Sequence, residues 1–156
     1  MRMVVWVAAL NVLLDQLSKY LVVHGLDLIR VERIEVWPPF LVFQMAWNYG
    51  VNFGLMAGDA PMTRWILIML AFAICIAVLA WVHYRPEGKW QFLAAGLVVG
   101  GAIGNVIDRL IYGAVADFLN MSCCGIKNPY SFNIADISIF AGVIVIILFT
   151  GNKKAA

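Results

Sequence analysis

Three carboxylates, an arginine and two asparagines crowd one apolar stretch of this 156-residue chain. Between Gly100 and Asp136 fall Asn105, Asp108, Arg109, Asp117, Asn133 and Asp136, and three of the chain's nine acidic residues are among them. Ionisable groups in apolar surroundings are costly, so such a concentration points to function. The chemistry open to them is narrow. Two Asp held about 3 Å apart cannot both ionise, and they share one proton. The ionised carboxylate can take a proton from water while the protonated one polarises a scissile carbonyl. Such a pair titrates as a unit. It needs acids from different elements, and Asp117 and Asp136 stand on either side of a reversal in the chain.

Other chemistries lack their residues. There is no His-Glu-x-x-His, and the two histidines, His24 and His83, belong to opposite membrane faces, which argues against zinc and against a Ser–His nucleophile. Ser18 and Lys19 are sequence neighbours and do not face each other on a helix. No phosphate-binding glycine loop is present, and Gly100-Gly101-Ala102-Ile103-Gly104-Asn105 suits helix packing. The Asp-Thr/Ser-Gly signature of soluble aspartic proteases is absent, as is the Gly-x-Gly-Asp of presenilin-type ones. Cys75 reads as packing. Cys123 and Cys124 are vicinal and close only into a strained ring, with no metal-type spacing.

The elements that must position the acids are membrane elements. Hydrophobic residues make up 63% and charged residues 13% of the chain, against roughly half and a quarter in soluble domains. A net charge of +2 without a basic run excludes a nucleic-acid partner. Apolar runs predict four transmembrane helices at about residues 3–23, 62–84, 90–112 and 132–150, each near the roughly 20 residues that span hydrocarbon. Asp15 and Lys19, four apart, share a face of the first. Gly96, Gly100 and Gly104 mark a close-packing face of the third.

The segment from 24 to 61 differs. Ile29-Arg30-Val31 and Ile34-Glu35-Val36 alternate, with a phase slip at Glu32-Arg33 that suits a bulge, and a second β-rich run follows Trp37-Pro38-Pro39. This predicts a small β-sheet at the membrane surface, with 113–131 as a loop. Asp59 and Pro61 suit the start of the second helix. Arg2, Arg85, Lys89, Lys153 and Lys154 assign both termini to the cytoplasm and the sheet to the outside.

Five blocks in order then resemble the bacterial lipoprotein signal peptidase family, the type II signal peptidases: Asp15-Gln16-x-x-Lys19, Asn48-x-Gly50-x-x-Phe53, Gly100-Gly101-x-x-Gly104-Asn105-x-x-Asp108-Arg109, Val115-x-Asp117-Phe118 and Phe132-Asn133-x-Ala135-Asp136. The resemblance implies an all-α, four-helix membrane protein with an extracytoplasmic β-cradle between helices 1 and 2, in the bacterial inner membrane. It implies an aspartic endopeptidase, without cofactor or metal, that cuts prolipoproteins just before a diacylglyceryl-modified Cys. Partners would be that substrate, membrane lipid and globomycin-type inhibitors. Asp117 and Asp136 would be the catalytic pair. Asn48, Asn105, Arg109 and Asn133 would line the substrate site, supported by Asp15, Lys19, Gly50, Phe53, Asp108 and Ala135. Ala116 and Asn52 depart from the family's usual residues.

Asp108 remains a rival for the pair, although its place beside Arg109 suits positioning, either as that guanidinium's ion-pair partner or with Arg109 left to donate to the substrate backbone. Two other functions use the same residues. A proton-coupled transporter subunit would want inverted repeats or broken helices, and the sequence has neither. An assembly factor would depend on the glycine face rather than on the acids.

Overall fold

The structure is a computed structural model that describes residues 1–50, 60–125 and 127–149. Asn52, Phe53 and Asp59, and with them the expected helix cap, lie outside the described residues.

Helix α1 (Arg2–Lys19) carries one buried stripe of Val4, Ala8, Asn11, Asp15 and Lys19. These positions recur every three or four residues, so they share a face. The opposite face exposes Trp6, Leu10, Leu13 and Leu17, which only a hydrocarbon environment would tolerate. The helix continues as a π-helical turn, Tyr20–Gly25. Two more helices are long and apolar enough to cross a membrane: α3 (Ala60–Tyr84), which carries no charged residue from Trp65 through Val82, and α4 (Lys89–Tyr112). A fourth, α5 (Ile134–Phe149), is strongly apolar and has 16 residues among those described, within the span expected at about 132–150.

Helix α4 is the central post. Of its most apolar window 61% is buried, against 17% for α3 and 28% for α1 with its turn. Its glycines explain the difference. A Cβ on Gly100 would lie 2.8 Å from the Ala8 carbonyl oxygen and 2.9 Å from the Ala8 Cα, so α1 can approach only where α4 has no side chain. Gly96 and Gly104 continue that face against α1, while Gly101 faces Ala135 and Ile139 of α5. A polar clamp joins the three helices: Ser138 Oγ donates to Asn11 Oδ1 at 2.8 Å, and Asn11 Nδ2 donates to Leu97 O at 3.1 Å.

The segments outside the long helices depart from expectation in two places. Ile29-Arg30-Val31 is not strand. It belongs to a helical turn, α2 (Leu28–Val31), entered at Asp27 and left at Glu32, both with left-handed φ. Three alternating residues are too few to separate the two periods, and fully buried Leu28, packed with Val23 and Phe118, anchors the turn. The irregularity in the first hairpin falls between Glu35 and Trp37 rather than at Glu32-Arg33.

The second departure concerns the sheet itself. Strands β1 (Arg33–Trp37) and β2 (Leu41–Asn48) pair antiparallel, but a third strand, β3 (Val115–Asn120), completes the order β1-β2-β3. The sheet is therefore not confined to 24–61, and 113–131 is not simply a loop. Val115 through Phe118 are all buried, so the strand lacks the alternation that marks a half-exposed one. Phe132 then bridges back to Leu119, bringing the start of α5 beside β3.

Candidate active site

Asn133 sits at the corner where β3 meets α5. Its Oδ1 accepts the Asp136 peptide N–H at 2.9 Å, and Asp136 Oδ2 accepts the Asn133 N–H at 3.3 Å. This is a reciprocal cap between the N-cap residue and the third helical residue, satisfying two N–H groups that a helix start leaves without partners. The same exchange orients the Asp136 carboxyl at the mouth of α5.

The Asn133 amide also reaches the other acid. Its Nδ2 donates to Asp117 Oδ1 at 2.6 Å and lies 3.3 Å from Asn105 Oδ1. Asn105 Nδ2 in turn donates to Asp136 Oδ1 at 2.9 Å. From the end of β2, Asn48 Nδ2 donates to Asp117 Oδ2 at 3.1 Å, while its Oδ1 accepts the Gly50 N–H at 2.8 Å. Gly50 has a φ of 96°, a left-handed conformation that suits glycine. Four elements thus bring Asp117, Asp136, Asn48, Asn105 and Asn133 into one hydrogen-bonded web.

Asp117 is 3% exposed. Burial, and next the charge of Asp136, push its carboxyl up to about 7, against the lowering effect of the Asn48 and Asn133 amides and of Lys19. A carboxyl in that range can hold a proton near neutrality.

Arg109, in the last turn of α4, donates from Nη1 to Asn105 O of its own helix at 3.3 Å. With Asn105 it lines a cavity of about 160 Å³ whose walls also include Leu67, Ile74, Ala102 and Ile139. No ion pair joins Arg109 to Asp108 among the described residues, because adjacent helical residues point in different directions.

Asp108 turns to α1 instead. Lys19 Nζ lies 2.7 Å from Asp108 Oδ2 and 2.7 Å from Asp15 Oδ2. Gln16 Nε2 donates to Asp108 Oδ1 at 2.9 Å and to Asp15 Oδ2 at 3.1 Å. The expected Asp15–Lys19 pair is present and is one side of a buried triad. The remaining lone pairs meet backbone: Ala116 N–H donates to Asp108 Oδ2 at 3.1 Å, and Ala135 N–H to Asp15 Oδ1 at 3.0 Å. Gln16 was legible only as a motif letter. Its spacing from Asp15 says nothing of Asp108, a partner 92 residues away.

Among the described residues no group of three or more His, Cys, Asp or Glu is arranged to hold a metal ion. The three cysteines are free thiols, Cys75 buried and Cys123 and Cys124 exposed.

A family model described as Signal peptidase (SPase) II matches residues 7–151. The lipoprotein signal peptidase of Rhodopseudomonas palustris is 41% identical over 146 residues, 91% of this chain and 87% of that protein. That of Methylorubrum extorquens is 40% identical over 135 residues, 86% of this chain and 77% of that protein. A bacterial membrane enzyme solved by the in meso method at 1.9 Å resolution superposes with a TM-score of 0.79 at 27% identity, covering 99% of this chain and 96% of that one.

Proposed function

This chain belongs to the signal peptidase II family, and from that membership we propose that it removes the signal peptide of prolipoproteins as an aspartic endopeptidase, cutting before a diacylglyceryl-modified Cys. In this reading Asp117 and Asp136 share one proton. The ionised carboxylate takes a proton from water as the water oxygen attacks the scissile carbonyl carbon, and the protonated partner gives its proton to the carbonyl oxygen. The resulting gem-diol returns a proton to the second carboxyl as the C–N bond breaks, and the first carboxyl protonates the leaving amine. The products are the free signal peptide and a new N-terminal Cys, with one proton again on the pair.

The observation that carries this reading is Asn133, which donates to the Asp117 carboxyl through its amide and to the Asp136 carboxyl through its backbone. Both acids therefore lie within hydrogen-bond reach of one residue, and the charge of Asp136 acts on the Asp117 carboxyl. The raised Asp117 carboxyl adds to it. Asn48, Asn105 and Asn133 orient the pair and, with the Arg109 guanidinium, offer donors to the substrate backbone. The apolar cavity beside Asn105 and Arg109 suits a hydrocarbon portion of the substrate, and globomycin-type peptides would compete there.

We place α1, α3, α4 and α5 across the bacterial inner membrane, with the sheet and both carboxyls at the outer face and both termini in the cytoplasm, following the positive charges at residues 2, 85, 89, 153 and 154. Helix α5 rises about 24 Å over its described residues. Phe53 keeps a supporting role in this proposal.

The test is cleavage of a diacylated precursor and of its unlipidated form. Asp117→Asn and Asp136→Asn should each abolish processing of the lipidated precursor while the protein still inserts. Full activity in either would end the proposal.

A further inference from the structure

The buried triad contacts the site in a way that ion pairing alone does not require. Asp15 and Asp108 are each 0% exposed and Lys19 is 5% exposed. Burying two carboxylates against one ammonium contributes little to stability after desolvation, so another role is called for. The arrangement is nearly symmetric. Each acid takes Lys19 Nζ at 2.7 Å, each takes Gln16 Nε2 at 3.1 or 2.9 Å, and each takes one peptide N–H at 3.0 or 3.1 Å. Those two N–H groups belong to Ala135 and Ala116, the residues immediately before Asp136 and Asp117.

We propose that Asp15, Gln16, Lys19 and Asp108 form a gauge that sets the spacing of the two catalytic carboxyls by holding the peptide N–H that precedes each of them. The inference rests on the Asp117–Asp136 reading above. Asp108 fastens β3 to α4, Asp15 fastens the start of α5 to α1, and Lys19 with Gln16 fixes the distance between those two fastenings. All four are positioning residues. Asp108 is occupied by this task, which separates it from the acid chemistry.

The experiment compares Asp108→Asn, Asp108→Ala, Asp15→Asn and Asp15→Ala with Asp117→Asn in the full-length enzyme, on diacylated precursor. An Asn keeps a carbonyl oxygen for the N–H and leaves Lys19 one acid, so each Asn variant should keep kcat within about tenfold of wild type. Each Ala variant releases its N–H, and misplacement of a reacting group by about 1 Å costs on the order of 100-fold in kcat, with KM unmoved. A second readout excludes mere loss of folded protein. Asp117 is faced by Asp136, Lys19 and Arg109; losing the Asp15 or Asp108 charge frees Lys19 to lower the limb in the Asn and Ala variants alike. Widening the pair further weakens the effect of Asp136, so the alkaline limb of each Ala variant should lie at lower pH than that of its Asn counterpart.

Ala variants with wild-type kcat, or with an alkaline limb no lower than that of their Asn counterparts, would overturn the gauge and leave the pair intact, provided Asp117→Asn is dead. An inserted Asp108→Asn as inactive as Asp117→Asn would overturn the gauge by making Asp108 a chemical participant. An active Asp117→Asn would remove the reading underneath. Where an Ala variant fails to insert, Gln16→Met keeps every charge and nearly the same volume. It should lower kcat about tenfold and move the alkaline limb to lower pH through widening alone, and no change in it would sink the gauge.

Discussion

Asn133 serves three partners with one side chain and its own backbone N–H, and the two jobs can be separated. Ser is as good an N-cap as Asn, but its hydroxyl is too short to cap α5 and reach Asp117 together. Asn133→Ser should therefore keep near wild-type thermal stability in detergent while losing about 100-fold in kcat. Asn133→Ala should lose activity similarly and also about 1 kcal/mol of stability from the missing cap. Equal activity in Ser and wild type would show that the link to Asp117 is idle. The pH dependence belongs to the same scale. The Asp117 carboxyl is raised to about 7, first by burial and then by Asp136. Its protonated form therefore persists well above the ordinary carboxylate range and is lost as pH rises through that value. A mechanism that needs one proton on the pair should show kcat/KM falling about tenfold per pH unit above roughly 7. A rate that stays level to about pH 9 would contradict it.

Among elements, the contact that matters most is α1 on α4, because it carries Asp15, Gln16 and Lys19 to Asp108. Gly100 admits that contact, its missing Cβ leaving room for the Ala8 backbone. Gly100→Leu must push two helix backbones apart, and overpacking of this kind costs roughly 1–3 kcal/mol. It should lower the melting temperature in detergent and lower activity with it, whereas Leu13→Ala on the exposed face of α1 should do neither. A Gly100→Leu protein with unchanged melting and turnover would show that α1 is free to shift without moving the site. The sheet depends on a comparable close fit: β3 carries Asp117 beside β2, which ends in Asn48.

At the scale of the molecule, the proposed function requires the carboxyl pair to open on the outer membrane face. Cys123 and Cys124 are exposed just beyond β3, while Cys75 is buried within α3. A membrane-impermeant maleimide added to intact spheroplasts should label Cys123 and Cys124 and spare Cys75. Labelling only after lysis would invert the orientation, and with it the access of an exported precursor to the pair.

Much of this was legible in residue order. Composition and the long apolar runs require a membrane protein, because so much apolar surface cannot be covered in water. The i, i+4 spacing of Asp15 and Lys19 put them on one face, and the four-residue glycine period marked where a helix could dock. Such local periodicities survive in a one-dimensional string. The third strand did not, since burial on both faces removes the alternation that identifies a strand. Nor did the partner of Asp108: the adjacent Arg109 looked natural in sequence, yet the side chains diverge around the helix and Lys19 arrives from α1. Which N–H each buried acid holds, and that one asparagine spans both carboxyls, are distances between segments far apart in the chain, and only the packing of α1, β3 and α5 around α4 could decide them.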